Sequence, residues 1–460
     1  VGCGPLQEGL KVPLSKPLKD HQIWFHTLGC RTNLYESEAL AFSLVCMGAS
    51  LVEDPAIADI AVIQTCTVTS MADRKTRQII RKVKRENPGA ILVASGCWSQ
   101  KISREEAFSL GVDLVVGSRR KSDIPGMILS YLQKRQPCVL RYEGSPPGGI
   151  WDPLFLGETH FHTRAFIKVQ DGCDHFCTYC IIPYVRGLPV SRDPEDVLSE
   201  ITRLAVEGGI REVILTGIHL GLYGKEDGSA LGELVRRISL IAGIERIRFG
   251  SFEPFSLDRE LLTRLAEVPQ FCPHLHLPLQ SGDDHVLSRM RRGYTVSEYM
   301  KVLDMARSIL GSEIHVSTDI MTGFPGESEE AFRHTMDVME KAAFGKVHVF
   351  PYSPRRGTPA AGWKDQVSPV VRRERAQEAL NLSLRLYRDY CRRWIGSVLP
   401  VLIEGPESPA HGLTPQFLKV VLSGALSPGE IEEVRISSLD GDYLKGVTVT
   451  GSMQCSSSAE

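Results

Sequence analysis

Cys173, Cys177 and Cys180 stand in the run Cys173-Asp-His-Phe-Cys177-Thr-Tyr-Cys180, a C-x3-C-x2-C spacing. Three thiolates at that spacing can hold three irons of a cubane cluster and leave the fourth iron open, which is where chemistry can happen. A closed tetrahedral zinc site wants four protein ligands, usually as two C-x2-C pairs, and the standard ferredoxin runs also supply a fourth cysteine. No fourth cysteine lies near this triplet. Taken on spacing alone, zinc binding stays open beside the cluster reading.

Three further cysteines occupy matching positions. Cys30 follows the apolar run Ile23-Trp-Phe25, Cys66 follows Ile60-Ala-Val-Ile63, and Cys97 follows Ile91-Leu-Val-Ala94; helix-like sequence comes after each. Ligands at the carboxyl ends of parallel strands converge on one edge of a sheet, where open α/β sheets bind their ligands. Residues 36 and 31 apart in the chain could therefore form one site. A buried cysteine is often no more than a small hydrophobe, and that would explain any one of the three. Three at one strand-end position in one domain point instead to a second three-thiolate cluster.

The residues flanking the first triplet, Arg164-Ala-Phe-Ile-Lys-Val-Gln-Asp-Gly-Cys173 and Ile181-Ile-Pro-Tyr-Val-Arg-Gly187, resemble the cluster loop of radical S-adenosylmethionine (SAM) enzymes. In that superfamily SAM chelates the open iron, and the reduced cluster cleaves it to a 5′-deoxyadenosyl radical. Two three-cysteine sites in this order, with a small domain behind them, resemble the methylthiotransferase family from about His21 to about Thr450. The stretches Thr27–Glu38 and Thr65–Arg77 are closest to the MtaB branch, which modifies threonylcarbamoyladenosine beside the tRNA anticodon. Gln64 where Asn is expected, Trp98 where Tyr is expected, and Leu188-Pro-Val before Ser191-Arg192 depart from the pattern without removing a ligand.

The resemblance implies two [4Fe-4S] clusters and SAM. The cluster on Cys173, Cys177 and Cys180 would make the radical, and the one on Cys30, Cys66 and Cys97 would hold a methylated sulfur. Carbon 2 of adenine carries an unactivated C–H bond, so radical abstraction replaces an acid or base, and no catalytic acid or base is named. The implied partners are a tRNA anticodon stem-loop, whose unstacked base can enter a pocket, and an electron donor such as flavodoxin or ferredoxin. The sulfur donor stays open. Methylthiolation of isopentenyladenosine or of a ribosomal-protein aspartate are alternative activities. A non-catalytic, zinc-containing RNA-binding protein is the alternative class.

The elements that must position these residues can be outlined. Residues 21–140 alternate short apolar runs with helical patterns such as Glu36–Met47 and Arg74–Arg85, which predicts an α/β domain with a parallel sheet. A leader (1–20) precedes it and a Gly/Pro-rich linker (141–160) follows. Over 161–393 the alternation resumes, with strands expected at Arg211–Thr216, Arg246–Phe249, His274–Leu277, Ile314–Asp319 and Val347–Phe350. That spacing predicts a βα barrel, which the resemblance narrows to the partial, open radical SAM barrel with its cluster loop after Ala165–Val169. Active sites of such barrels lie at strand ends, making Thr216 and Gly217, His276 and Gln280, and Asp319 and Gly323 the candidate SAM contacts. A run such as Phe324-Pro-Gly326 also makes an ordinary turn wherever it occurs.

Residues 394–450 predict short strands and resemble the small β-barrel TRAM domain, a nucleic-acid-binding module. Its seven acids against Lys419, Arg435 and Lys445 make it a poor general phosphate binder. The better electrostatic candidate is the stretch from Arg74 to Arg85, where Arg74, Arg77, Arg81 and Arg85, with Lys84, fall along one helix face. A solvated face is the ordinary meaning of such a charge run.

Composition agrees with a soluble cytoplasmic enzyme: 42% hydrophobic residues, 53 basic against 55 acidic, and net charge −2, which by itself gives no nucleic-acid signal. Twelve cysteines in so long a chain are not the disulfide scaffold of a small secreted domain. The amino terminus lacks the apolar core of a signal peptide, and no run of 18 or more apolar residues predicts a membrane span. Residues 451–460 are expected to be a disordered tail.

Overall fold

The computed structural model describes residues 16–159, 162–224, 231–405, 409–424 and 426–449. Packing divides the chain into a first unit of residues 1–161, 166–204 and 353–361 and a second of residues 162–165, 205–352 and 362–460.

In the first unit, strands and helices alternate as β1 (Gln22–Thr27), α1 (Arg31–Cys46), β2 (Ser50–Leu51), β3 (Ile60–Thr65), α2 (Ser70–Glu86), β4 (Ile91–Gly96), α3 (Arg104–Ser109), β5 (Leu114–Val116), α4 (Ile124–Lys134) and β6 (Cys138–Leu140). The six strands pair in parallel in the order β2-β1-β3-β4-β5-β6. Both faces are covered, so β3 and β4 are buried at every position and read as continuous rather than alternating apolar runs. Leu40, Leu44, Ile124 and Ile128 pack on one face; Ile80, Val83 and Ala107 pack on the other.

Helix starts differ from the sequence expectation. α1 begins at Arg31 rather than Glu36 because it is buried nearly all round, Glu36 and Glu38 included, and so shows no one-sided apolar stripe. α2 begins at Ser70, where the Thr69 hydroxyl accepts the Ala72 N–H. The leader is also shorter than expected. Leu18 is fully buried in the sheet core and its N–H donates to the Met47 carbonyl at 3.0 Å, so residues 16–20 belong to the domain. Residues 1–15 lie outside the described residues. Over 141–159 the linker is irregular but packed: Leu154 and Leu156 are buried, and Asp152 accepts the N–H groups of Lys121 and Ser122.

The first unit continues with β7 (Ala165–Lys168), β8 (Gln170–Asp171), α5 (Ile182–Arg186), β9 (Val190–Ser191), which pairs antiparallel with β8, and the start of α6 (Pro194–Val206). In the second unit follow β10 (Glu212–Thr216), α7 (Leu231–Ser239), β11 (Arg246–Phe249), α8 (Arg259–Ala266), β12 (His274–His276), α9 (Asp284–Met290), α10 (Val296–Leu310), β13 (His315–Thr322), α11 (Glu329–Ala342), β14 (Lys346–Pro351) and α12 (Pro369–Arg392). β10 pairs with β11, parallel bridges at Ile247–Phe271 and Ser251–His276 lead to β12, and β12, β13 and β14 pair in turn. These five strands run parallel in chain order, as a partial βα barrel requires.

Beyond α12, β15 (Val398–Gly405), β16 (Ala410–Leu413), β17 (Lys419–Leu422), β18 (Ile431–Asp440) and β19 (Tyr443–Thr448) close into a barrel in the order β15-β16-β17-β19-β18. Val401, Ile403, Val420, Val434 and Leu444 fill it. β16 is absent from the sequence expectation, which places strands at 398–403, 417–422, 431–436 and 447–449: it follows Pro409, contains Gly412 and has no β-branched residue. Gly412 is the reason it can pair, since a Cβ there would run into the Leu402 carbonyl on β15. Residues 451–460, expected as a disordered tail, lie outside the described residues. Among the described residues no helix is long and apolar enough to cross a membrane.

Arginines join this barrel to the parallel strands of its own unit. Arg246 donates to the Leu413 and Pro400 carbonyls at 2.9 and 2.8 Å, and Arg248 donates to Pro415 at 2.9 Å while lying 4.9 Å over the Phe417 ring. Arg164 pairs with Glu404 and Arg211 with Glu430, each at 2.7 Å.

Candidate functional site

Cys66 and Cys97 are the residues immediately after β3 and β4, and Cys30 caps α1 three residues beyond β1. Because β1, β3 and β4 are neighbours in the sheet, the three thiols lie along its carboxyl edge. The turns are built for close approach. At Gly29, where φ is 107°, a Cβ would sit 2.9 Å from the Cys66 Cβ and 3.1 Å from its sulfur, so only glycine fits. Asn33 donates to the Leu28 and Thr65 carbonyls at 2.6 and 3.1 Å, tying the Cys30 turn to the end of β3. Thr65 in turn donates to the Ser95 carbonyl at 2.7 Å, tying β3 to β4.

Cys30 is exposed, while Cys66 and Cys97 are buried, so the site is open on one side. Burial, then the neighbouring Cys97, pushes the Cys66 thiol up to about 12. Burial also raises the Cys97 thiol, against the pull of Arg186. Without metal these sulfurs hold their protons; a bound iron would take the place of the proton.

Cys173, Cys177 and Cys180 lie in the loop between β8 and α5. Gly172 and Gly187, both at positive φ, flank it, and the Cys173 N–H donates to the Gly187 carbonyl at 3.0 Å, which closes the loop at its base. The His175 N–H points at the Cys173 sulfur at 3.5 Å, a backbone donor to sulfur of the kind that tunes iron-sulfur clusters. Among the described residues no three His, Cys, Asp or Glu side chains gather tightly enough to share one metal ion. A cubane spreads its thiolates over separate irons, and soft sulfur donors in two sets of three suit it.

A buried charge network lies between residues next to both triplets in sequence. Arg186, the last residue of α5, donates from Nε to the Cys97 sulfur at 3.3 Å and from its other nitrogens to Asn33 at 2.6 Å and Glu36 at 2.7 Å. Glu36 also pairs with Lys121 at 3.0 Å and Lys168 at 2.8 Å, and Asp171 pairs with Lys168 at 2.7 Å. Burial works against the Glu36 carboxylate, yet Arg186, Lys121 and Lys168 overcome it and hold the group at about 2. The segment 353–361 straps both loops: Arg355 donates to Asp73 at 2.7 Å and to the Thr67 hydroxyl, and the Ala360 N–H donates to the Thr178 carbonyl at 2.9 Å.

In the second unit, His276 and Asp319 come together, Nε2 to Oδ1 at 3.3 Å, with Ser317 bonded to His276 Nδ1 at 2.9 Å. Gln280, at φ 74°, donates its N–H to the Asp319 carbonyl at 2.8 Å. Thr216 ends β10 and is buried, with Gly217 next in the chain. Gly323 follows β13 but faces α12: a Cβ there would strike the Arg372 side chain, and its N–H donates to Glu327 at 2.8 Å. Packing alone therefore explains that glycine.

On α2, Arg74, Arg81 and Arg85 are exposed. Arg77 is not a free cation, since it pairs with Glu106 at 2.7 Å; Lys84 pairs with Asp113 at 3.1 Å, and Arg85, though largely exposed, lies 3.6 Å from the Glu86 carboxylate. The stripe expected from sequence is thus narrower than its five members.

A model of the radical SAM superfamily matches residues 167–339, and a model described as "Uncharacterized protein family UPF0004" matches residues 22–117. The threonylcarbamoyladenosine tRNA methylthiotransferase MtaB of Bacillus subtilis (strain 168) is 37% identical over 92% of this chain and 95% of its own length. This chain belongs to the radical SAM methylthiotransferase family. A tRNA-2-methylthio-N(6)-dimethylallyladenosine synthase of Desulfosudis oleivorans is 35% identical over 84% of this chain and 83% of its own. Among solved structures, the radical SAM methyltransferase TsrM of Kitasatospora setae overlays with a TM-score of 0.54 at 14% identity, covering 74% of each chain, a likeness of fold. As a radical SAM methylthiotransferase, the protein is an enzyme that uses a [4Fe-4S] cluster and SAM.

Sequence reasoning missed the buried network beside the cysteines. Asn33, Glu36, Asp171 and Arg186 all lie within the motifs quoted around the cysteines, yet nothing local marked them as mutual partners. The available signal was charge placed among apolar neighbours, as with Glu36 and Glu38 before Ala39-Leu-Ala-Phe42.

Proposed function

We propose that this enzyme transfers a methylthio group to carbon 2 of threonylcarbamoyladenosine beside the anticodon of a tRNA, using two [4Fe-4S] clusters. The observation that carries this reading is the alignment of Cys30, Cys66 and Cys97 just past the carboxyl ends of three adjacent parallel strands, in a chain that also carries the radical SAM triplet. Cys173, Cys177 and Cys180 would hold the SAM-binding cluster; Cys30, Cys66 and Cys97 would hold the sulfur-bearing one. When bound, the clusters and SAM supply the radical and the methylated sulfur. The chain's own residues bind, orient and keep water out.

His276, Gln280 and Asp319, with Thr216 and Gly217, are the proposed SAM contacts. The His276–Asp319 pair presents a carboxylate and an imidazole side by side, which suits the hydroxyl and amino groups of a nucleoside. Gly323 is assigned to the turn that supports them. Arg74, Arg81 and Arg85 are proposed to meet the phosphates of the tRNA. A flavodoxin or ferredoxin is the proposed source of electrons.

Dimethylallyladenosine is the second reading of the substrate, because a relative named for that activity is 35% identical against 37% for the MtaB relative. Mass spectrometry of tRNA nucleosides from cells with and without the protein decides. Loss of the 2-methylthio form of threonylcarbamoyladenosine alone supports the proposal, and loss of the dimethylallyl form in its place overturns it.

A further inference from the structure

Four cations are buried together in the first unit: Arg119, Lys121, Lys168 and Arg186. The carboxylates Glu36 and Asp171 face them, and all six side chains are no more than 2% exposed. Asp152, buried and bonded to the backbone N–H groups of Lys121 and Ser122, is the third carboxylate nearby. Each of the four cations has a carboxylate within 4 Å, and Arg119 also donates to the Pro147 and Leu188 carbonyls.

Arg186 reaches from this network to the cysteines. Its Nε donates to the Cys97 sulfur at 3.3 Å while Glu36 and Asn33 hold the rest of the guanidinium. A cubane held by three thiolates is anionic and becomes more so when it gains an electron. We infer that Arg186 is a positioning residue for the Cys30, Cys66 and Cys97 site, whose charge and hydrogen bond to Cys97, opposed by Glu36, set how readily a cluster there is reduced. This rests on the reading of those cysteines as cluster ligands. Two features make the arrangement specific. The guanidinium is fully buried, so water does not screen it, and it comes from the helix that follows the other triplet.

The test uses the full chain with Cys173, Cys177 and Cys180 changed to Ala, reconstituted anaerobically with iron and sulfide, so that one cluster is read alone. Its iron content and its one-electron potential are measured, the latter by a titration followed by electron paramagnetic resonance. Adding Arg186→Gln should lower the ratio of reduced to oxidised cluster at a fixed poise about tenfold, equivalent to about 59 mV for one electron. Glu36→Gln should raise the ratio, and Arg186→Lys, which keeps the charge, should shift it less than Arg186→Gln. Opposite signs for the two charge removals are what a merely structural role would not produce. Should Arg186→Gln fail to fold, Glu36→Gln and Arg186→Lys still carry the sign. Retained iron with unmoved potentials, or shifts of the same sign, overturns the inference. No iron in the parent background overturns the cluster reading on which it stands.

Discussion

Cys66 and Cys97 are buried thiols whose protons are held by the absence of water, and they differ from the exposed Cys30 in how they would meet iron. Changing Cys173, Cys177 and Cys180 together to Ala should abolish SAM cleavage and leave roughly half of the iron; iron analysis and a 5′-deoxyadenosine assay check both. With Cys30, Cys66 and Cys97 changed instead, 5′-deoxyadenosine should still form but no methylthio product. The acid behaviour of Glu36 is a second expectation. Its carboxyl is held at about 2 in the folded chain, below the unfolded value of about 4.3, so its stabilisation is complete above about pH 4.3 and is lost as pH falls toward 2. Thermal melts between pH 5 and 2 should drop more steeply for the parent than for Glu36→Gln. The cysteines were legible in the sequence because thiol spacing is a chemical statement by itself. The network was not, because Arg186 meets Glu36 across 150 positions and a lone arginine ordinarily reads as solvated.

At the scale of elements, strand order turns scattered cysteines into a site, and helix faces decide which cations are available. α2 buries Thr76, Ile80 and Val83, which leaves Arg74, Arg81 and Arg85 outward. Changing those three to Gln should weaken tRNA binding and reduce its salt slope by about one per lost phosphate contact. Arg77→Gln should change the slope little, because that guanidinium is already committed to Glu106. Filter binding over a range of salt concentrations separates the two. The parallel sheet was legible because β3, β4 and β5 are built on apolar runs, and the half barrel because short strand-like runs recur between helical patterns. α1 was legible only in its second half: a helix buried on all sides presents no periodic face. β16 was hidden because its pairing depends on the small size of Gly412, a property that matters only once β15 is beside it.

For the molecule as a whole, the acidity of the last domain has a structural use. Glu404, Glu430 and Asp442 pair with Arg164, Arg211 and Arg388, which lie outside the barrel, so part of its negative charge is spent on docking. Deleting residues after Arg393 should therefore lower the melting temperature of the remaining chain, since Arg246 and Arg248 would lose their carbonyl partners. That deletion cannot serve as a clean test of RNA contact. The same junction should be sensitive to mild acid. Burial pushes His315, bonded to the Gln416 carbonyl, down to about 3. An unfolded chain takes up that proton near pH 6.5, so stability should fall as pH drops below 6.5, and a neutral replacement, His315→Gln, should flatten that dependence in melts.

The first unit is assembled from stretches far apart in the chain, and its strap, 353–361, is the last of them to be made. At about 5–20 residues per second, Arg355 leaves the ribosome tens of seconds after Cys97 has been joined to the chain. Through that interval the sheet that carries the first three cysteines can fold, but Thr67 and Asp73 beside Cys66 lack the side chain that fastens them. The loop that follows Cys66 is thus fastened only late in synthesis, when the chain reaches its own latch.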